Sequence, residues 1–139
     1  MSDPKIIVDT GPLFAALVER DQHHSWASAQ FSSLPPPFLT CEPVLAELFY
    51  LLQQRPNGSR RFFDLLERDL LLVDFNVLAE RHALAQLVRK YDNLPMSLAD
   101  ACLVRISERH NNATVLTIDS HFRIYRKSGR QQIPLLMPS

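Results

Sequence analysis

The segment Ile6-Ile7-Val8-Asp9-Thr10-Gly11-Pro12 joins the end of a strand to the start of a helix. Its β-branched apolar residues are typical of a buried parallel strand, which we predict over residues 5–9. Pro12 then falls in the first turn of the following helix, where its missing N–H costs nothing. This strand-to-helix unit is the building block of α/β folds.

The same alternation continues to the end of the chain. Further strands are predicted over residues 38–40, 70–75, 115–118 and 133–136. Helices are predicted over about residues 10–20, 23–33, 59–68, 76–91, 97–110 and 121–127, and one more opens at Pro43. The pattern predicts an α/β fold with a mostly parallel sheet of about five strands, flanked by helices on both faces. We expect residues 1–139 to form a single domain.

Composition describes an ordinary globular protein, with 46% hydrophobic and 22% charged residues. No apolar run approaches the roughly 20 residues that a membrane-spanning helix needs, and the start of the chain does not have the form of a signal peptide. Cys41 and Cys102 are isolated and lack metal-finger spacing, so we interpret both as reduced core thiols. These features predict a cytoplasmic protein without a membrane association.

Four acidic residues interrupt or end apolar runs, where a carboxylate costs several kcal/mol unless it is paired, protonated or metal-bound. Asp9 and Asp119 stand at the carboxyl ends of predicted strands, and Asp100 lies in the first turn of a helix. Glu47 lies on the apolar face of the third helix, which we expect to point toward the sheet. Ligands of α/β sheets bind outside the carboxyl ends of the strands, so the pattern predicts a shared divalent-metal site there.

Each acid also has a simpler interpretation. Asp9 could cap the first helix, Asp100 could complete a capping box with Ser97, and Asp119 could cap the last short helix. Glu47 has no cap to satisfy, although it could pair with a distant arginine. The convergence of all four on one sheet edge favours the metal site over four independent structural roles.

The motifs around these acids resemble those of the PIN-domain ribonucleases, and more narrowly the VapC-type toxins of bacterial toxin–antitoxin pairs. The resemblance covers almost the whole chain, with the acids in the family order. It is carried by the segments Ile7-Val8-Asp9-Thr10-Gly11-Pro12, Val44-Leu45-Ala46-Glu47, Leu98-Ala99-Asp100-Ala101 and Thr117-Ile118-Asp119-Ser120-His121-Phe122.

The resemblance implies a Mg²⁺- or Mn²⁺-dependent endoribonuclease that forms a homodimer and binds a small antitoxin protein. It assigns catalytic and metal-binding roles to Asp9, Glu47, Asp100 and Asp119, and a supporting role to Thr10. One position departs from the family pattern. Many relatives carry a second acid shortly after the position of Asp119, and here His121 takes that place, with consequences for the number or affinity of bound metals. The oxygen-rich acid set suits Mg²⁺, which prefers a few carboxylates and retains waters.

A basic segment with two aromatic residues follows Asp119 directly. We predict that Arg123, Arg126 and Arg130 surround the acidic site and contact RNA phosphates. The simpler interpretation is a solvated turn with Phe122 and Tyr125 packed inward. Net charge is zero, with 15 basic and 15 acidic residues, so removing the four site acids leaves 15 bases against 11 acids. This excess of basic residues outside the site permits contact with a polyanion once a metal ion neutralises the four site acids.

Two other functions are compatible with parts of this pattern. A non-catalytic RNA- or protein-binding module could keep the fold without a metal, although the complete acid set argues against it. A phosphoacceptor receiver domain is also α/β with an acidic pocket. That fold would need paired acids after the first strand and a lysine at the end of the last strand, and the chain offers neither.

Overall fold

A sheet of five parallel strands lies at the centre of the protein. The structure is a computed structural model and describes residues 4–139. The strands of the protein are β1 (Lys5–Val8), β2 (Phe38–Leu39), β3 (Leu71–Leu72), β4 (Ala113–Leu116), β5 (Arg126–Lys127), β6 (Gln131–Gln132) and β7 (Leu135–Leu136). The parallel sheet has the order β3-β2-β1-β4-β7. The predicted α/β fold with about five parallel strands is therefore confirmed.

Six α-helices accompany the sheet. They are α1 (Thr10–Leu17), α2 (His24–Ser33), α3 (Glu42–Leu52), α4 (Gly58–Glu67), α5 (Arg81–Lys90) and α6 (Leu98–Arg109), followed by a 3₁₀ turn at Ser120–Arg123. None of the helices within residues 4–139 has the length and apolar content that crossing a membrane requires.

The pairing of β1 with β4 positions the carboxyl ends of both strands side by side. Val8 is paired with Leu116, and the Asp9 N–H donates to the Leu116 carbonyl at 3.0 Å. Asp9 and Thr117, which follow the two strands, therefore lie at the same edge of the sheet. Because β1 and β4 are neighbours although most of the chain separates them, this edge is the point where the strand order reverses.

Helix α6 is the most deeply buried helix, because it contacts β1, β4, α3 and α5. Eight of its residues are buried, and they include Asp100 and Ser107 as well as the apolar side chains. An α-helix that is apolar on nearly all sides is typical of the interior of a fold. Its first turn therefore carries Asp100 into the core of the molecule rather than onto its surface.

The turn Arg55-Pro56-Asn57-Gly58 joins α3 to α4, as its sequence predicts. Asn57 has a left-handed backbone with φ of 59°. A Cβ atom on Gly58 would lie 1.6 Å from the Leu52 carbonyl oxygen, so only glycine allows this approach of the two helices.

Several predicted elements differ from the structure. The helix predicted from residue 76 begins at Arg81, because the Asn76 side chain accepts from the Ala79 N–H at 2.8 Å and holds a separate turn. The third strand is restricted to Leu71–Leu72, at the edge of the sheet.

The prediction of a helix over residues 121–127 was wrong. The 3₁₀ turn ends at Arg123, and β5 then pairs with β6 as an antiparallel hairpin. The hairpin turn contains Ser128 and Gly129, both with positive φ. The change of direction is fixed by Tyr125, which is fully buried, and by the Arg126 N–H, which donates to the Tyr91 hydroxyl at 2.8 Å.

Candidate active site

A cleft of about 470 Å³ opens at the carboxyl edge of β1 and β4. It is lined by Asp9, Gly11, Glu47, Pro95, Ser97, Asp100, Ile118, Asp119 and His121. All four acids predicted from the sequence therefore share this cleft. They reach it from four different parts of the fold, namely two strand ends and the first halves of α3 and α6.

Asp9 is held by hydrogen bonds at both carboxylate oxygens. Oδ1 accepts from the Thr10 N–H at 2.8 Å, and Oδ2 accepts from the Thr117 hydroxyl at 2.7 Å. The pKa of Asp9 is raised to about 6, mainly by burial and to a smaller extent by the charges of Asp100 and Glu47, against the opposing effect of the two hydrogen bonds. A nearby cation would favour the charged form of this carboxylate further, because it would offset both the burial and the repulsion from the other acids.

Asp100 has a similar environment. Its Oδ2 accepts from the Tyr125 hydroxyl at 2.9 Å, while its N–H donates to the Ser97 hydroxyl at 3.0 Å. Burial raises the pKa of Asp100, the charge of Asp119 adds to the increase, and the hydrogen bonds from Tyr125 and Ser97 oppose it. The predicted capping role of Ser97 is confirmed, and Asp100 lines the cleft at the same time.

Asp119 and His121 belong to one tight turn after β4. Asp119 Oδ1 accepts from the His121 N–H at 2.9 Å, and His121 Nδ1 lies 3.4 Å from the same oxygen. The side chains are 37% and 38% exposed, so both are half-open to the solvent of the cleft. The Asp119 N–H donates to the Thr117 hydroxyl at 3.0 Å, which links this turn to Asp9.

Glu47 differs from the prediction that it points toward the sheet. It is exposed, whereas Val44 and Leu48 on the neighbouring helical positions are fully buried. It still lines the cleft, because the exposed side of α3 borders the sheet edge. No hydrogen bond from residues 4–139 holds its carboxylate, so Glu47 reaches the site as a solvated acid.

Two residues that support the site escaped the sequence analysis as site residues. Thr117 donates to Asp9 and accepts from Asp119, and Tyr125 donates to Asp100. Both look like ordinary core residues in the sequence. The one sequence signal for a role of Thr117 in the site is its position two residues before Asp119, the acid at the strand end. Thr10, predicted to support the site, has a buried hydroxyl without a hydrogen-bond partner within residues 4–139.

The three arginines predicted to surround the site do not line the cleft. The Arg126 guanidinium donates to the carbonyls of Arg123, Ile124 and Tyr125, so it closes the end of the 3₁₀ turn. Arg123 borders a separate cavity of about 300 Å³ with Phe122 and Ile133. Arg130 is exposed in the hairpin. The simpler interpretation of Phe122 and Tyr125 is confirmed, since both are fully buried.

The donor chemistry of the cleft fits a hard divalent cation. Its ligands would be carboxylate oxygens, and both buried acids repel further negative charge. Among residues 4–139, no group of three or more His, Cys, Asp or Glu side chains is arranged to enclose an ion directly. An open cleft of this volume agrees with Mg²⁺ or Mn²⁺ bound through one or two carboxylates, with waters completing the coordination.

Comparison with known proteins places this architecture in a family. The family model described as PIN domain matches residues 6–128, which include all four acids. The chain belongs to the PIN-domain family. This PIN domain is 29% identical over 129 residues to Ribonuclease VapC26 of Mycobacterium tuberculosis, covering 89% of this chain and 94% of that protein.

Two solved structures share the fold. The structure of VapC20 of Mycobacterium tuberculosis, described as a sarcin-ricin loop cleaving toxin, matches with a TM-score of 0.75 and 23% identity. The match covers 94% of this PIN domain and 99% of VapC20. FitAcB from Neisseria gonorrhoeae matches with a TM-score of 0.54 and 19% identity, covering 83% of this chain and 88% of the other.

Proposed function

We propose that this PIN domain is a metal-dependent endoribonuclease that hydrolyses RNA phosphodiester bonds, and that it is the toxin of a toxin–antitoxin pair. The family membership and the similarity to a protein named Ribonuclease VapC26 support the reaction class. The similarity to Ribonuclease VapC26 also supports an RNA substrate and an antitoxin partner. The homodimer remains part of the proposal.

The observation that carries the proposal is the convergence of four carboxylates from distant parts of the chain on one cleft. Asp9, Glu47, Asp100 and Asp119 would hold Mg²⁺ or Mn²⁺. When bound, such an ion supplies an activated water and neutralises charge on the scissile phosphate. Buried carboxylates next to other carboxylates have a stability cost without an ion, which is expected when a site is built for a ligand rather than for the fold.

The remaining residues of the cleft orient the acids. Thr117 and the Thr10 N–H fix both oxygens of Asp9, and Tyr125 fixes one oxygen of Asp100. Rigid carboxylates lose little freedom when they bind an ion, which favours a defined geometry. Glu47 stays solvated at the mouth of the cleft, where RNA enters.

RNA phosphates that lie outside the cleft would be contacted by basic side chains that form no hydrogen bonds within the protein itself. Arg123 and Arg130 are exposed, and we propose that they contact the RNA backbone. Arg126 is a weaker candidate than its sequence position suggests, because its guanidinium is occupied by three backbone carbonyls. Contacts of this kind increase affinity without selecting a base sequence.

The strand order supports this function over a phosphoacceptor receiver domain. Receiver-type folds have the order 2-1-3-4-5. Here the sheet strands, renumbered within the sheet, follow the order 3-2-1-4-5. The acidic cleft therefore lies between the first and fourth strands instead of the first and third.

A cleavage assay tests the proposal. The purified protein should cut a mixture of structured RNAs in Mg²⁺ or Mn²⁺, stop in EDTA and recover when metal is restored. Asp100→Asn and Glu47→Gln should each reduce the rate at least about 100-fold, while His82→Gln, on the exposed side of α5, should cut like the parent protein. Binding of RNA without metal-dependent cleavage would instead identify a non-catalytic module.

A second assay addresses assembly. Light scattering during size-exclusion chromatography should show a dimer of 15.9-kDa chains, and a small partner protein co-expressed with this chain should suppress cleavage. A monomer that the partner leaves fully active would contradict the toxin–antitoxin proposal while leaving the nuclease activity intact.

A further inference from the structure

An imidazole shares the acidic cleft with the four carboxylates. His121 lines the cleft, and its ring lies 6.4 Å from the ring of Tyr125, whose hydroxyl donates to Asp100. The other four histidines of the chain, His23, His24, His82 and His110, are absent from the lining of the cleft. His121 therefore offers a nitrogen donor at a site whose remaining donors are oxygens.

The side chains of His121 and Asp119 approach each other in the turn after β4. His121 Nδ1 lies 3.4 Å from Asp119 Oδ1, beyond the usual 2.7–3.2 Å of an N–H···O hydrogen bond. Both atoms would therefore be able to bind one divalent ion in the cleft. The His121 N–H fixes the same Asp119 oxygen at 2.9 Å, so the turn holds both donors near each other.

We propose that His121 is a metal ligand of this site through Nδ1, next to Asp119, and that it shifts the preference of the site from Mg²⁺ toward divalent transition metals. The inference rests on the proposed function, because it assumes that the acids of the cleft bind the ion. Imidazole nitrogen suits transition metals such as Fe²⁺, Ni²⁺ and Zn²⁺, whereas Mg²⁺ selects oxygen donors. A nitrogen ligand therefore favours transition metals over Mg²⁺, and Mn²⁺, the weakest binder of that series, is the least favourable case.

Pulsed electron paramagnetic resonance provides a direct test with Mn²⁺ as the probe. The electron spin echo of the full-length protein with Mn²⁺ should show modulation from a directly bonded ¹⁴N nucleus. Labelling histidine with ¹⁵N should change that modulation, and His121→Gln and His121→Asp should remove it. His82→Gln is the matched control and should keep it. An echo from the bound ion without nitrogen modulation in the parent protein would overturn the proposal.

Metal affinity separates a failure of this inference from a failure of the proposed function. Equilibrium titrations should show that His121→Gln weakens Mn²⁺ binding at least about tenfold and changes Mg²⁺ binding much less. Asp100→Asn should weaken both ions. If His121→Gln binds both ions like the parent protein while Asp100→Asn does not, His121 is not a ligand but the acidic site stands. If Asp100→Asn and Asp9→Asn also bind both ions normally, the proposed metal site itself is wrong.

Discussion

The acids at the strand ends act both as caps and as cleft residues. Asp9 accepts from the Thr10 N–H, Asp119 accepts from the His121 N–H, and Asp100 forms its cap with Ser97. The two interpretations are compatible, because a carboxylate has two oxygens and about four acceptor positions. One oxygen can orient the side chain against the local backbone while the other acceptor positions remain available to a ligand.

Replacing Asp9 by asparagine should stabilise the metal-free protein at neutral pH but not in acid. The folded pKa of about 6 exceeds the ordinary value of 3.8, so the folded state retains a proton that the unfolded state loses. The free energy of unfolding therefore falls as pH rises from about 4 to above 6 and Asp9 ionises, by up to roughly 3 kcal/mol. Asparagine does not ionise and escapes this cost.

Urea unfolding of both proteins in EDTA, from pH 4 to pH 8, measures the effect. The difference in free energy of unfolding between Asp9→Asn and the parent should grow in favour of the variant through this interval. A difference that is constant with pH would show that Asp9 is not destabilised by burial. Added Mn²⁺ should reverse the order at pH 8, because only the parent keeps the full carboxylate set.

Thr117 connects Asp9 to Asp119, and its hydroxyl should be needed for metal affinity. Thr117→Val keeps the shape of the side chain but leaves a buried oxygen of Asp9 without its donor. We expect a loss of about 1–3 kcal/mol in unfolding free energy, and weaker Mn²⁺ binding. Thr117→Ser restores the hydroxyl and should recover most of the binding measured by titration. Equal metal affinity in the valine and serine variants would show that Thr117 serves packing alone.

At the level of elements, the site depends on the pairing of β1 with β4 and on the buried position of α6. The register places Val8 opposite Leu116, so Asp9 and Thr117 follow at the same level. The interface of α5 and α6 is reinforced by Arg105 of α6, whose Nε donates to Glu80, the residue before α5, at 2.6 Å. The Nη1 of Arg105 donates to Glu108 within α6 at 3.2 Å. Glu108 also accepts from the Ser128 N–H, which joins α6 to the hairpin.

The junction of α3 and α4 should be intolerant of any side chain at Gly58. An alanine Cβ would lie 1.6 Å from the Leu52 carbonyl oxygen, which is backbone and cannot move aside without displacing the end of α3. We expect Gly58→Ala to destabilise the protein by about 3 kcal/mol. Thermal unfolding compared with Gly129→Ala provides the check, since Gly129 has a φ of 88° but no atom within 4 Å of its added Cβ.

Gly129→Ala should cost only about 1–2 kcal/mol, which is the usual cost of placing a side chain in a left-handed conformation. An equal effect of the two substitutions would mean that α4 can begin elsewhere without loss. That outcome would contradict the tight junction of α3 and α4.

For the whole molecule, the distribution of charge is more informative than its sum. Net charge is zero, yet four acids share one cleft, which leaves 15 bases against 11 acids elsewhere. In the metal-free protein the charges of Asp100 and Glu47 contribute to the raised pKa of Asp9, and the charge of Asp119 contributes to the raised pKa of Asp100. Folding thus brings together charges that the unfolded chain keeps apart, and an ion that neutralises them should stabilise the fold.

Metal should therefore raise the melting temperature in proportion to the logarithm of its concentration once the site is filled. At a concentration of 100 times Kd, binding to the folded state alone adds about 2.7 kcal/mol. Differential scanning calorimetry across a series of Mn²⁺ concentrations checks this expectation, with Ca²⁺-free buffer and EDTA as references. Asp100→Asn should flatten the dependence. A parent protein whose melting temperature ignores Mn²⁺ would argue against a site that binds the ion only when folded.

The sequence by itself determined the fold class and the position of the acids at strand ends. A strand buried on both faces appears as an uninterrupted β-branched run such as Ile6-Ile7-Val8, and a polar residue returns where the sheet stops. Asp9 and Asp119 are therefore recognisable without any coordinates. Ser97 and the turn at Gly58 are equally local, since a cap or a turn is formed by residues near each other in the chain.

Only the tertiary structure decided which other side chains join the four acids in the cleft. Thr117 bonds to Asp9 across 108 residues, and Tyr125 bonds to Asp100 across 25. Such pairs depend on strand register and helix packing, which local patterns do not encode. The hydrophobic period of α3 predicted a buried Glu47, but a helix at the sheet edge exposes residues that would be buried at the centre. The hairpin of β5 and β6 likewise follows from the burial of Tyr125, because the hydrophobic core outweighs the helical preference of a short segment.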